Sequence, residues 1–237
     1  MSDPLQQLLE VQDRDTSVDQ HRHRKATLPA RAELARVEAR LAELAQRAAT
    51  VGVERDELGS RQADLEAQIA AARTRRADIE KRMYAGQVAA RDLQAMDEET
   101  KHLARHVTEL EDRELEVMEA LEPLDAQLAA DAAERAELEA AAGGHRAVLA
   151  EQEQEIDQQI AQERAARDAA AAQVPPDLLR RYEGLRTKLG GTGAARLVGD
   201  SCSGCHLVLP SMEVDRIRKA PPDAVITCEQ CGRILVR

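Results

Sequence analysis

Apolar residues recur along most of this chain in alternating steps of three and four. Leu34, Val37, Leu41, Leu44, Ala48, Val51, Arg55, Leu58, Gln62, Leu65, Ile69, Ala72, Arg76, Ile79 and Met83 form one such stripe. Those steps keep side chains on one helical face, and a run of this length describes a heptad seam. A second stripe starts after Gly86: Leu93, Met96, Thr100, Leu103, Val107, Leu110, Glu114, Val117, Leu121, Leu124 and Leu128. It continues, with polar breaks at Asp131 and Arg135, through Leu138, Ala142, Leu149 and Ile156. Two matched seams separated by a break at residues 84–91 predict an antiparallel helical hairpin.

Folding the chain about residues 87–88 sets Ile69 against Val107, Leu65 against Leu110, Leu58 against Val117 and Val51 against Leu124. Polar seam residues meet as well, Gln62 opposite Glu114 and Arg76 facing Thr100. The arm from residue 31 to 83 would be roughly 80 Å long at the helical rise. Ahead of it, Pro4 opens a first helix through about residue 27, with Leu5, Leu8, Leu9, Val11 and Val18 on its apolar side. The run His21–Lys25 reads as a solvated basic face. Pro29 should interrupt the helix. It falls level with Gly144 on the returning strand of the hairpin, so a shared bend near 29/144 is expected.

The pattern changes after residue 172. Val174-Pro175-Pro176 should end the second helix. Asp177 to Lys188 reads as a short helix stopped by Gly190-Gly191. Ala195–Val198, Leu207–Leu209, Val225–Thr227 and Arg233–Val236 read as short strands, with Ser211–Lys219 as an inserted helix. The expected fold is therefore mainly α: a long antiparallel coiled-coil hairpin over 1–174, followed by a linker helix and a small C-terminal β module over 175–237. That module has a thin core drawn from Leu197, Val198, Leu207–Leu209, Met212, Val214, Ile217, Val225, Ile226 and Ile234–Val236.

Composition supports long helices over a globular interior. The 237 residues include no Trp, no Phe and two Tyr, and 32% are charged. No segment approaches the length of a membrane span, and Met1-Ser2-Asp3-Pro4 lacks the basic-then-apolar start of an export signal, so a cytoplasmic location is expected. Charge is uneven. Residues 178–237 carry ten Arg or Lys against six Asp or Glu, whereas the remainder carries 23 against 38. A mildly basic module thus follows an acidic stalk, short of a strong nucleic-acid signature.

The chemistry lies in the cysteines. All four occur in two phrases, Cys202-Ser203-Gly204-Cys205 and Cys228-Glu229-Gln230-Cys231, with 22 residues between them. Each Cys-x2-Cys turn can aim two thiolates at one point, and two turns complete a tetrahedron suited to one Zn2+. Gly204 and Gly232 suit the positive φ that such turns favour. A redox pair would want a thioredoxin-like setting. The Cys-x-x-Cys-His reading as a haem attachment would leave Cys228 and Cys231 idle. His206 reads as a bystander beside four thiolates. Four protein ligands leave no open position, so the zinc is expected to be structural. Zinc–thiolate binding on the order of 10–16 kcal/mol would sustain a core too small to stand alone.

Several phrases together resemble a known bacterial family. They are Met83-Tyr84-Ala85-Gly86-Gln87-Val88, Asp92-Leu93-Gln94-Ala95-Met96 and Arg181-Tyr182-Glu183-Gly184-Leu185-Arg186, followed by Cys202-Ser203-Gly204-Cys205-His206 and Cys228-Glu229-Gln230-Cys231-Gly232-Arg233-Ile234-Leu235. The chain resembles bacterial proteins with an N-terminal coiled-coil hairpin and a C-terminal C4-type zinc ribbon. It departs from them at Val236, where the family often has tyrosine, and at Ala89-Ala90 in the tip. The resemblance implies nucleic-acid-binding or transcription-linked adaptors, some associated with sigma factors and with flagellar or secretion regulation, and no catalysis.

Two uses follow as expectations. In one, the ribbon binds RNA or DNA through phosphate contacts from Arg216, Arg218, Lys219, Arg233, Arg180 and Arg181, with Arg186, Lys188, Arg196 and Arg237 nearby. Base stacking has little to work with, since Tyr182 is the one ring in reach. In the other, the protein is a scaffold for protein partners, a sigma factor or other regulator among them, with no nucleic-acid binding. No small-molecule substrate and no enzyme activity are expected. The six histidines are scattered, His102, His106, His145 and His206 having no partner at a useful spacing, and no nucleophile elbow or phosphate loop occurs.

Overall fold

A computed structural model of the chain describes residues 3–86, 89–221 and 224–237. Gln87 and Val88, at the centre of the expected tip, lie outside the described residues. Five helices and four short strands follow in order: α1 (Pro4–Ala26), α2 (Pro29–Tyr84), α3 (Ala90–Ala171), α4 (Pro176–Lys188), β1 (Ala194–Val198), β2 (Ser201–Cys202), α5 (Ser211–Lys219), β3 (Ile226–Thr227) and β4 (Ile234–Val236). They make a long helical hairpin followed by a small strand module. Two compact units result, Leu34–Gly144 on one side and Met1–Glu33 with His145–Arg237 on the other.

The unit Leu34–Gly144 is held by the heptad seam. Leu65, Ile69, Ala72 and Ile79 of α2 bury against Leu103, Val107, Leu110, Val117 and Leu121 of α3, with Leu58, Met83 and Met96 at the margins. Charged side chains close the seam between the antiparallel helices. Arg55 Nε donates to Asp125 at 3.0 Å, Arg40 Nε to Glu134 at 2.7 Å, and Arg73 and Arg75 reach Glu111 and Glu99. Exposed pairs of this kind contribute little each, about 0–1 kcal/mol, and act mainly on register. Gln62 and Arg76 bond within their own helix, to Glu66 and Glu80.

Asp131, which breaks the apolar stripe of α3, is the exception to exposure. It is buried, and its carboxylate accepts from Arg47 Nε at 2.8 Å and from the same guanidinium's terminal nitrogen. The hydrogen bond from Arg47 holds the Asp131 carboxyl below the usual range, against the opposing effect of burial. Arg40 does the same for Glu134. A depressed carboxyl pKa contributes stability that is complete above the unfolded value, about pH 4, and is lost as pH falls through the lower folded value. Acidification below about pH 4 should therefore lower the thermal midpoint of the hairpin. Asp131→Asn should flatten that dependence in melts followed by circular dichroism, and an unchanged slope would remove Asp131 from the account.

In the other unit, α1 ends where Thr27 N–H donates to the carbonyls of His23 and Arg24, and α2 restarts at Pro29 after a two-residue break. Gly143 and Gly144 lie inside α3 without interrupting it. Leu5, Leu8, Leu9 and Val11 of α1 pack on Tyr182 of α4 and on Ala194, Ile234 and Val236 of the strands, with Ala170, Ala171 and Val174 completing the cluster. Farther along, Val18 and Leu28 pack with Ile156 and Ile160. Buried Gln12 ties α1 to β1: its Oε1 accepts from the Gly193 and Ala194 amides and its Nε2 donates to Gly191 O.

The strands form one sheet in the order β2-β1-β4-β3. β1 runs parallel to β4 (Ala195 beside Leu235) and antiparallel to β2, while β3 is antiparallel to β4. The strand expected at Leu207–Leu209 is reduced to a single bridge between Val208 and Ser201. Among the described residues no helix is long and apolar enough to cross a membrane.

Candidate metal centre

Two turns, one after β2 and one after β3, build the site with matching hydrogen bonds. In the first, His206 N–H donates to Cys202 O at 2.8 Å and Cys202 N–H to Leu207 O at 3.1 Å. In the second, Gly232 N–H donates to Cys228 O at 2.8 Å and Cys228 N–H to Arg233 O at 2.9 Å. The residue after the second cysteine of each pair adopts positive φ, 59° at His206 and 75° at Gly232. His206 is thus the backbone counterpart of Gly232, in a conformation that histidine tolerates better than most side chains.

Gly204 answers to a different constraint from the one expected. Its φ is not positive. A Cβ there would come within 2.5 Å of Arg233 Cδ and 3.0 Å of Ala195 Cβ, so the glycine is there for space.

The four ligand atoms of Cys202, Cys205, Cys228 and Cys231 lie within 4.8 Å of one another, with Cys202 Sγ and Cys231 Sγ 3.9 Å apart. For bonds of about 2.3 Å a tetrahedral zinc needs sulfurs spaced near 3.8 Å. Cys202 and Cys228 are buried, Cys205 and Cys231 half-buried. Burial pushes the Cys202 thiol up, and the Cys228 thiol up to about 12, although amides in each turn point at the sulfurs. Burial also acts on Cys231, but hydrogen bonds from the Arg233 backbone and guanidinium and from its fellow cysteines outweigh it and bring that thiol down to about 7. A cluster of thiols this close and this desolvated suits a soft divalent cation, which would take the place of the protons. The donor set fits one structural zinc held by four thiolates, closed to water and substrate. Ala195, Leu209, Val214, Ile217 and Leu235 supply the small apolar backing.

A C4-type zinc ribbon model matches residues 201–235, and a CT398-like coiled coil hairpin domain model matches residues 11–190. The chain belongs to the CT398-like coiled-coil hairpin family. Uncharacterised proteins from two Mycobacterium tuberculosis strains are each 32% identical over 230 residues, spanning 97% of this chain and 94% of theirs. A solved Mycobacterium smegmatis structure matches with a TM-score of 0.89 at 28% identity, over 99% of this chain and 97% of that one. CT398 from Chlamydia trachomatis matches with a TM-score of 0.73 at 20% identity, over 99% and 97% of the two chains. The HP0958 protein of Helicobacter pylori gives 0.54 at 18%, over 98% and 96%; these last two share the fold.

Against that family frame, the expected phosphate contacts are distributed unevenly. Arg216 donates to Glu229 at 2.5 Å, Arg218 to Asp200 at 3.0 Å and to Gly199 O, Lys219 lies 3.9 Å from Asp215, and Arg180 pairs with Asp177. Arg233 is a strap inside the ribbon. Its Nε donates to Thr192 O at 3.0 Å and its Nη2 to Leu189 O at 3.2 Å, fastening the second turn to the end of α4. Arg186 and Arg196 pair with Asp19 and Asp13 of α1, and Arg237 caps carbonyls at the end of α5. Arg181 is exposed beside an apolar groove lined by Leu5, Leu178 and Val225.

Two features differ from what the sequence leads one to expect. Val198, Leu207, Val208 and Met212, expected in the core, are 62%, 50%, 73% and 85% exposed. Val198 ends β1, Leu207 and Val208 follow the first turn outside the named strands, and Met212 lies on α5, so an apolar run there does not tell which side is covered. The other is His102 and His106, which do have a partner: each other. Their spacing of four on α3 was the available signal.

Proposed function

We propose that this protein is a non-catalytic adaptor whose zinc ribbon docks a partner protein. The observation behind this reading is the pairing of surface groups around the metal centre. Arg216, Arg218 and Lys219 of α5 and Arg180 of α4 are each engaged by a carboxylate, while Val198, Val208 and Met212 stand exposed without cover. A polyanion would have to displace Glu229, Asp200 and Asp215 before contacting Arg216, Arg218 and Lys219. An apolar partner surface displaces only water. Val198 and Val208 flank Ser201 on neighbouring chain segments, so these two valines form a common rim to the first turn. Regulators of the transcription machinery, sigma factors included, are the partner class that the family resemblance suggests, in the cytoplasm.

Titration of the zinc-loaded protein with single- and double-stranded RNA and DNA at low salt tests the choice. The expected result is no complex at micromolar protein, with Arg216→Glu, Arg218→Glu and Lys219→Glu changing nothing. A complex that weakens steeply with salt and disappears in the triple variant would replace protein docking by phosphate binding. On the protein side, partner capture should survive nuclease and be lost with Val208→Asp and Met212→Asp.

A further inference from the structure

We propose that His102 and His106 form a second metal site, a solvent-facing chelate for one divalent transition-metal ion of the zinc, nickel or copper class. The two imidazoles lie one turn apart on α3, both exposed, with ring centroids 6.5 Å apart and planes within 20° of each other. Histidines at i and i+4 of a helix project from one face and can ligate the same ion, as in helical zinc motifs. These rings have no competing task in the fold. The apolar seam at this level is made by Leu103 and Val107, which point the other way.

The neighbours suit a cation. Glu109 Oε2 lies 3.9 Å from His106 Nδ1. A small side-chain adjustment lets Nδ1–H donate to it, which leaves Nε2 as the free lone pair and makes it a better ligand. Glu98 lies one turn before His102, where its carboxylate accepts from Gln94 Nε2 at 3.4 Å. Of the six Asp or Glu in residues 97–112, Asp97, Glu99 and Glu111 are paired with Lys101, Arg75 and Arg73, so the local excess of negative charge that would favour a cation is carried by Glu98, Glu109 and Asp112 against Arg105. Imidazole nitrogen is a preferred donor for zinc, nickel and copper, and carboxylates alone on this helix would not select them from magnesium or calcium.

Two protein ligands leave the remaining positions to water or to a donor from a bound partner. This is an open site, opposite in kind to the closed four-thiolate centre, and exchange at it should be fast.

The test uses the full chain with zinc already in the ribbon, and Ni2+ as the probe. Equilibrium dialysis at neutral pH should show about one Ni2+ per chain beyond the zinc. Proton NMR should show His102 and His106 ring signals broadened by the paramagnetic ion. His106→Ala should weaken binding roughly tenfold or more, the scale on which even outer partners of ligating histidines act. His102→Ala with His106→Ala should abolish it, and both variants should keep their helical signal because the rings are exposed. His145→Ala is the control. Absence of Ni2+ beyond the zinc would overturn the assignment. Binding unchanged in the double variant, or lost equally in His145→Ala, would overturn it as well.

Discussion

Replacing Cys228 by Ser is expected to release the zinc and unfold the ribbon together with the helices packed on it. Cys228 is buried, its thiol is pushed up by that burial, and its backbone closes the second turn through Arg233 O and Gly232 N. Zinc binding worth on the order of 10–16 kcal/mol exceeds what most small domains hold in total. With a backing of Ala195, Leu209, Val214, Ile217 and Leu235, edged by Leu197 and Ile226, burial cannot compensate. The damage should spread to α1 and α4, because Leu5, Leu8 and Tyr182 rest on Ala194, Ile234 and Val236. The seam of Leu34–Gly144 has its own core and should persist. Zinc content near zero, a partial loss of helical signal and a protease-resistant fragment covering about residues 34–144 are the readouts. Retention of the whole helical signal would mean that α1 does not depend on the ribbon. Loss of all of it would mean that the seam does.

Tyr182→Ala should be the most damaging substitution away from the metal, by roughly 3–5 kcal/mol, the range for truncating a buried aromatic. Tyr182 is fully buried in the cluster that joins α1, α4 and the strands. Its hydroxyl donates to Asp15 Oδ2 at 2.8 Å, and Asp15 also lies 3.5 Å from both Arg167 and Arg186. Burial, then the bond to Asp15, pushes the phenol well above its ordinary range, so it remains a donor throughout the accessible pH range. Tyr182→Phe isolates the hydroxyl. Asp15 keeps two guanidinium partners, so the loss should be nearer 1 kcal/mol. Chemical denaturation of the three proteins, followed at the ribbon by zinc release, checks both figures. Equal destabilisation by Ala and Phe would put the hydrogen bond, not the packing, in control.

The hairpin could be read from the sequence because its signal is repeated. Leu65, Ile69 and Ala72 recur with heptad spacing, and the break near Gly86 places them against Leu103, Val107 and Leu110, where the structure has them. The cysteines were equally plain, since two Cys-x2-Cys phrases leave few arrangements. Periodicity gives a helix its buried face without naming what covers it. Leu5, Leu8, Leu9 and Val11 announced an apolar side, but nothing in their spacing said that strands almost the length of the chain away would pack there. Asp131 looked like a fault in the stripe, because its compensation, Arg47, sits on the other helix. Arg233 looked like a surface cation, because its carbonyl acceptors at Thr192 and Leu189 carry no side-chain signature.

The grip of α1 on the strands also sets an order of events during synthesis. Gln12 holds the amides of Gly193 and Ala194, 181 and 182 positions further on, and Gln6 reaches the carbonyl of Arg237 across 231. A ribosome adding about 5–20 residues per second leaves α1 without its strand partners for on the order of ten seconds or more. Over that interval Leu5, Leu8 and Leu9 have no cover, while α2 and α3 can already zip together from their nearby turn. Contacts this remote in sequence close last and slowly. The nascent chain is therefore most open to chaperones and proteases at its first helix, and capture of the metal by the emerging cysteines is the event that ends the exposure.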